Sequence, residues 1–302
     1  MTEQAAVARS APGTAVYAQI AGVVVFWGSN WLLMKIALAD MGPLTFSFLR
    51  YLGAALLLAA LLAWKLRMPL LPVMGDRWGL AFIGLLQVAL MPAMSAAGLQ
   101  FLPPGRAAVL VYTMQIWALP LGWLIAGERV SGQRTLGALL AFAGVLVFFN
   151  PTLVDWSDPN QLIGNGLLLT SAALWALAAS LYRRRAWRTP FWTQTLWQIG
   201  VSAVAIGPVA LVFEADRAIN PTLSLGLVLV YNWVVATALC YAWWSKALTA
   251  MPAAQVGQIV CLVPFTALGL SALLMGEPLT LSVLAAVALI GAGILITVRA
   301  PR

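Results

Sequence analysis

Histidine is absent from all 302 residues. That removes His-metal ligation, Ser-His and Cys-His nucleophile pairs, and the commonest side-chain proton shuttle. Cysteine is nearly absent. Cys240 and Cys261 lie 21 positions apart in apolar stretches and form no Cys-x-x-Cys, the pattern of buried inert thiols rather than of a redox or metal pair. Neither Gly-x-Gly-x-x-Gly nor Gly-x-x-x-x-Gly-Lys-[Ser/Thr] occurs, so no nucleotide-binding engine is expected, and neither is any metal or cofactor. Charge is also scarce. Lys and Arg number 17 and Asp and Glu 9, making 9% of the chain, where soluble domains carry about 25%. So few charges would leave a soluble globule of this size with large bare apolar patches.

What is present is apolar. Hydrophobic residues make up 62% of the chain and the mean hydropathy is +0.92, so the expected surroundings are a lipid bilayer. The formal charge of +8 then points to Lys/Arg-rich cytoplasmic loops rather than to nucleic acid. A membrane helix needs roughly 20 mainly apolar residues. Ten segments qualify, near 15–37, 43–64, 77–99, 105–126, 132–150, 162–182, 191–213, 222–246, 253–275 and 280–298. Turn-forming groups separate them, among them Met41-Gly42-Pro43, Pro103-Pro104-Gly105, Pro159-Asn160 and Gly276-Glu277-Pro278. Runs such as 54–64 do not alternate as barrel strands would. The expected fold is all-α and polytopic, with ten transmembrane helices. Residues 1–14 read as a flexible tail with no convincing cleavage site after the first apolar segment, and 151–161 as a connection.

With the N-terminus inside, 13 of the 17 cations fall on the inner face, including the cluster Arg183, Arg184, Arg185 and Arg188. The positive-inside rule therefore places both termini in the cytoplasm.

The chain also repeats itself. An offset of 149 aligns Pro103 with Pro252, Gly127-Glu128 with Gly276-Glu277, and Gly144 with Gly293. At 148, Trp27 meets Trp175 and Lys35 meets Arg183. Two five-helix units are expected, 15–150 and 162–302. Because five is odd, the second must enter the membrane inverted. Inverted repeats place a central site that opens alternately to either side, which points to a transporter.

Ten helices in two halves, the first-helix run Phe26-Trp27-Gly28-Ser29-Asn30-Trp31, Arg50 in Phe48-Leu49-Arg50-Tyr51, and the two Gly-Glu junctions resemble the EamA branch of the drug/metabolite transporter superfamily. The mid-helix tryptophans resemble its YddG-type exporters of aromatic and other neutral amino acids. The resemblance implies a basket-like bundle in which helices 1, 3, 4, 6, 8 and 9 surround a central cavity, in a bacterial inner membrane.

Helical spacing of i, i+3, i+4 and i+7 gathers polar and aromatic residues on those helices. Helix 1 offers Trp27, Asn30 and, toward its outer end, Lys35; helix 3 offers Met91, Met94 and Ser95; helix 4 offers Tyr112 and Gln115, with Trp117 well round from both. Helix 6 offers Trp175 and Tyr182; helix 8 offers Trp233, Thr237, Tyr241 and Trp244; helix 9 offers Gln255 and Gln258. Such groups either line a cavity or bond helix to helix; their concentration on six helices favours the cavity. Trp27 and Trp175, equivalent in the two halves, are the expected walls. Trp64, Trp78, Trp156, Trp187 and Trp192 lie near helix ends as interfacial anchors are placed. Helices 2, 5 and 10 carry small-xxx-small spacings such as Gly137-Ala141 and Ala288-Ala292, suited to close packing.

Intramembrane ionisable groups are functional candidates by default. Lys35 either snorkels or meets a substrate carboxylate at the outer mouth, and Arg50 is read as bracing helix 2. With no His and no Asp or Glu at mid-depth, a proton relay is missing. The expectation is therefore uniport-like export of amino acids, aromatic and otherwise mainly uncharged, by a monomer. An exporter of drugs, purines or nucleosides is the alternative. An enzyme is not expected, since little is left for acid–base chemistry.

Overall fold

Proline opens several of the helices, where its missing N–H costs nothing and its fixed φ suits the first turn. Pro43 starts one after the extended Gly42, Pro104 another after the extended Pro103, and Pro159 a third behind Asp158, whose side chain accepts from the N–H of Asn160. The chain is seen in a computed structural model that describes residues 13–127, 132–149, 157–250, 256 and 259–299. Among these are ten helices and no strand. They are α1 (Thr14–Ala37), α2 (Pro43–Leu66), α3 (Met74–Leu99), α4 (Pro104–Tyr112 with Met114–Ala126), α5 (Gly132–Phe149) and α6 (Pro159–Arg183). Then follow α7 (Phe191–Phe213), α8 (Leu223–Val230, Tyr231–Leu239 and Cys240–Ala250 in succession), α9 (Val263–Met275) and α10 (Leu281–Arg299). Seven are long and apolar enough to cross a membrane, and α5, α9 and α10 contain shorter apolar stretches. The protein is an all-α polytopic membrane protein.

Most sequence-derived ends hold to within a few residues, but α9 begins at Val263 where the expected segment began at 253, and residues 251–255 and 257–258 lie outside the described ones; two smaller differences are instructive. The Pro159-Asn160 turn is the start of α6, because Asp158 caps it. Helix 3 begins at Met74 rather than 77. It passes through a wide π-turn at Leu85–Leu90 just before Pro92, whose ring would otherwise meet the carbonyl four residues back. The expected tail falls almost wholly in 1–12, and Glu128, Trp156, Gln255 and Gln258 also lie outside the described residues.

The repeat is visible in backbone detail. Helix α4 breaks at Thr113 (φ −61°, ψ −9°), whose N–H bonds Leu110 O at 3.2 Å. The last turn before α9 breaks in the same way at Leu262 (φ −77°, ψ −12°), whose N–H bonds Ile259 O at 3.0 Å. Gly127 ends α4 at φ 66° with its N–H on Gly122 O, and Gly276 ends α9 at φ 70° with its N–H on Ser271 O. Glycine suits this left-handed conformation because it has no Cβ to clash. Each of these pairs is separated by the 149 positions of the sequence repeat. Helix α4 starts at the end of the molecule where Glu277 follows α9, so the two copies run in opposite directions.

Packing follows residue size. Gly144 of α5 lies against Ile290 and Ala286 of α10, and Gly293 of α10 lies against Gly137 and Ala141 of α5. The two peripheral helices thus meet backbone to backbone, as their small residues suggest. Leu58, Leu62, Ile199, Ala203 and Ile206 join α2 to α7. Residues of α1, α3, α4, α6 and α9, including Leu32, Leu99, Leu110, Leu168 and Leu268, form the largest buried cluster.

Acidic side chains tie the halves at each end. On the face near Asp40, Glu214 accepts from the N–H groups of Leu44 (3.0 Å) and Thr45 (2.8 Å). Glu277 accepts from those of Gly105 and Arg106, both at 2.9 Å. Each carboxylate sits on a helix N-terminus, where free N–H groups and the helix dipole favour an anion. On the opposite face, Asp76 accepts from the N–H groups of Arg188 and Thr189 and from the Thr189 hydroxyl, and pairs with Arg185 at 3.3 Å.

Candidate functional site

Trp27 stands midway along α1, and its indole N–H donates to Ala236 O of α8 at 3.0 Å. With that donor satisfied, the ring is fixed as an apolar wall. Its centroid lies 5.9 Å from that of Tyr241, edge to face. Tyr241 in turn meets Trp244 at 6.3 Å, and Trp244 meets Phe191 at 6.1 Å. From the other side, Tyr112, buried at the break in α4, packs with Val24, Ala172 and Val263, and both Trp27 and Trp175 pack against this group. Trp27, Tyr112, Trp175 and Tyr241, from α1, α4, α6 and α8, therefore form one aromatic centre shared by the two halves.

A polar group adjoins it. Arg50 on α2 lies within electrostatic reach of Tyr241. Its Nη1 donates to Met34 Sδ at 3.7 Å, and its Cζ lies 5.5 Å from the ring centroid of Tyr51. Asn30 Nδ2 donates to the same sulfur at 3.4 Å. Three polar atoms here are buried without a hydrogen-bond partner: Arg50 Nε, Asn30 Oδ1 and the Tyr51 hydroxyl. Buried polar atoms are nearly always satisfied in folded proteins. Two of these exceptions belong to side chains that share one thioether, and the third to the ring beside Arg50.

Other expected site residues are placed elsewhere. Lys35 donates to Leu99 O, Gln100 O and Leu102 O at 2.6, 2.8 and 3.1 Å, so its ammonium caps the C-terminal end of α3 with all three of its N–H bonds. Trp233 donates to Leu49 O at 3.0 Å, and its ring lies directly over Gly53, leaving no room there for a Cβ. It belongs to the α2–α8 seam. The π-helical stretch Tyr231–Leu239 explains why a count at 3.6 residues per turn set it on one face with Tyr241: wider turns rotate the register between them. Tyr182 donates to Gln194 Oε1 at 2.7 Å and stacks on Trp187 at 5.4 Å, near the Arg183 end of α6. Trp187 therefore packs as well as bordering a helix end, whereas Trp64 and Trp78 are 83% and 88% exposed, as anchors would be.

Ser95 donates to Ser171 Oγ at 3.0 Å, joining α3 to α6. Met91 packs on the main core, Met94 is half-buried and Thr237 is buried. Trp117 is 39% exposed and takes no part in the aromatic centre. The Gln115 side chain, like Gln255 and Gln258, lies outside what is described. Arg50, by contrast, lies at the centre although its sequence reading was a brace. The signal was there: an arginine inside an apolar helix with no acid near it in sequence. No group of three or more His, Cys, Asp or Glu residues able to hold a metal occurs among the described residues.

A ten-helix polytopic bundle with inverted copies and a mixed aromatic and polar centre defines a membrane carrier for small molecules. The chain belongs to the EamA-like transporter family, which it matches twice, over residues 15–150 and 162–299; it is a transporter and not an enzyme. It is 25% identical to the uncharacterised transporter YoaV of Bacillus subtilis, across 91% of this chain and 94% of that one. It is 28% identical to a probable amino-acid metabolite efflux pump of Salmonella typhimurium, across 91% and 92%. A crystal structure at 19% identity superposes with a TM-score of 0.63 over 94% of this chain and 97% of that one, a likeness of fold.

Proposed function

We propose that the protein exports amino acids, aromatic and other mainly uncharged ones, together with related metabolites, across a bacterial inner membrane by alternating access. Both termini face the cytoplasm in this reading, the monomer is the working unit, and the substrate side chain lies among Trp27, Tyr112, Trp175 and Tyr241. The observation that carries the reading is this aromatic centre. It draws on helices from both inverted halves and adjoins buried polar atoms that lack partners. The relative named as an amino-acid metabolite efflux pump supports the substrate class. Without a His or a mid-membrane carboxylate to carry protons, transport runs as uniport down the substrate gradient.

Flux of labelled phenylalanine, threonine and methionine in proteoliposomes, with and without a pH gradient, tests this. Saturable flux blocked by unlabelled amino acids and indifferent to pH is expected. Concentrative uptake after a pH jump would defeat uniport. Flux of purines or drugs alone would replace the substrate class.

A further inference from the structure

Arg50 lies about two turns inside α2, where an unmatched guanidinium is costly. Lys35 shows how this protein braces a helix with a cation: three carbonyl oxygens receive its ammonium. Arg50 has nothing comparable. Its neighbours are the sulfur of Met34, a weak acceptor, and the ring of Tyr51, while Nε is buried and unpartnered. No carboxylate among the described residues pairs with it. Across the same sulfur stands Asn30, whose amide nitrogen is used and whose oxygen is buried without a donor. An unsatisfied charged donor and an unsatisfied neutral acceptor therefore belong to two side chains that share one sulfur, beside the ring of Tyr51.

An α-amino acid carries the complementary set. Its carboxylate accepts two parallel N–H bonds from a guanidinium, its ammonium donates to an amide oxygen, and its side chain takes the apolar side. We propose that Arg50 anchors the substrate carboxylate while Asn30 Oδ1 receives the ammonium, so that a free carboxylate is the condition for transport. This rests on the exporter reading above and names the residue that sets its selectivity.

Competition against labelled phenylalanine in wild-type proteoliposomes tests it without any variant. Unlabelled phenylalanine competes fully, and phenylacetate, which keeps only the carboxylate, competes more weakly. Phenylalaninamide and phenethylamine, which lack it, do not compete. In Arg50→Gln the KM for phenylalanine rises at least about tenfold, the effect of losing hydrogen bonds to a charged group. Arg50→Lys, which keeps the charge without the fork, falls between. Monodisperse elution identifies the folded variants. Competition by phenylalaninamide equal to that of phenylalanine, or an unchanged KM in folded Arg50→Gln, overturns the anchor and leaves the exporter reading intact. If phenylalanine is not carried but phenylacetate raises the thermal midpoint of wild type and not of Arg50→Gln, the anchor stands and the amino-acid reading falls. If neither compound is carried or bound, both fall.

Discussion

Glu277 holds the backbone N–H of Gly105 at 2.9 Å across 172 positions of sequence. A carboxylate that follows α9 thereby caps the first turn of α4, and the second half of the chain fastens the first. The bond to the Arg106 N–H at 2.9 Å makes the cap two-pronged. Glu277→Ala is expected to destabilise the protein by about 1–2 kcal/mol, the usual worth of an N-terminal cap with its dipole interaction. Glu277→Gln, which keeps an acceptor, should cost less. Thermal unfolding in detergent reads both, and an Ala variant with an unchanged midpoint would show the cap to be idle.

Lys35 makes a contrasting case. Its three carbonyl bonds belong to the end of α3, so Lys35→Met should destabilise the protein by about 1.5–3 kcal/mol, the worth of one charged bond, and lower the thermal midpoint accordingly. The KM for phenylalanine should stay within about twofold, since these bonds leave no N–H for a substrate. A KM that climbs as it does in Arg50→Gln would return the ammonium to the substrate path.

Gly293 faces Gly137 and Ala141 so closely that a Cβ would strike the α5 backbone. Gly293→Val should sharply reduce the yield of monodisperse protein, because backbone cannot yield as a flexible side chain can. Gly166, around which an added Cβ would meet nothing within 4 Å, is the control: Gly166→Ala should leave the yield unchanged. Equal yields for both variants would show that α5 and α10 separate without harm.

Trp175→Ala should raise the KM for phenylalanine about two- to tenfold, the range of a lost aromatic pair, and change threonine flux by less than about twofold. An equal effect on both substrates would make Trp175 a packing residue.

The fold was legible because its signals are long. Apolar runs of 20 residues, turn groups between them, and glycines repeated at 149 positions fix helix number and inverted order from composition and spacing alone. The candidate site was legible in part. Trp27, Tyr112, Trp175 and Tyr241 meet as their helical phases suggest. Trp233 does not join them, since π-helical turns in α8 break the regular count that placed it there. Lys35 and Arg50 look alike in sequence, each a lone cation in an apolar helix. What separates them is three-dimensional: the end of α3 happens to present carbonyls to one and nothing to the other.

The matched breaks at Thr113 and Leu262 bear on the direction of traffic. In the proposed alternating-access cycle, two like breaks set in copies that run in opposite senses make the excursion toward one compartment the counterpart of the excursion toward the other. For the uncoupled carrier proposed above, detailed balance leaves the molecule no preferred heading of its own. Expelling a solute from a cell and filling an empty vesicle become the same cycle, and only the solute's chemical potential on each side decides which of them an observer sees.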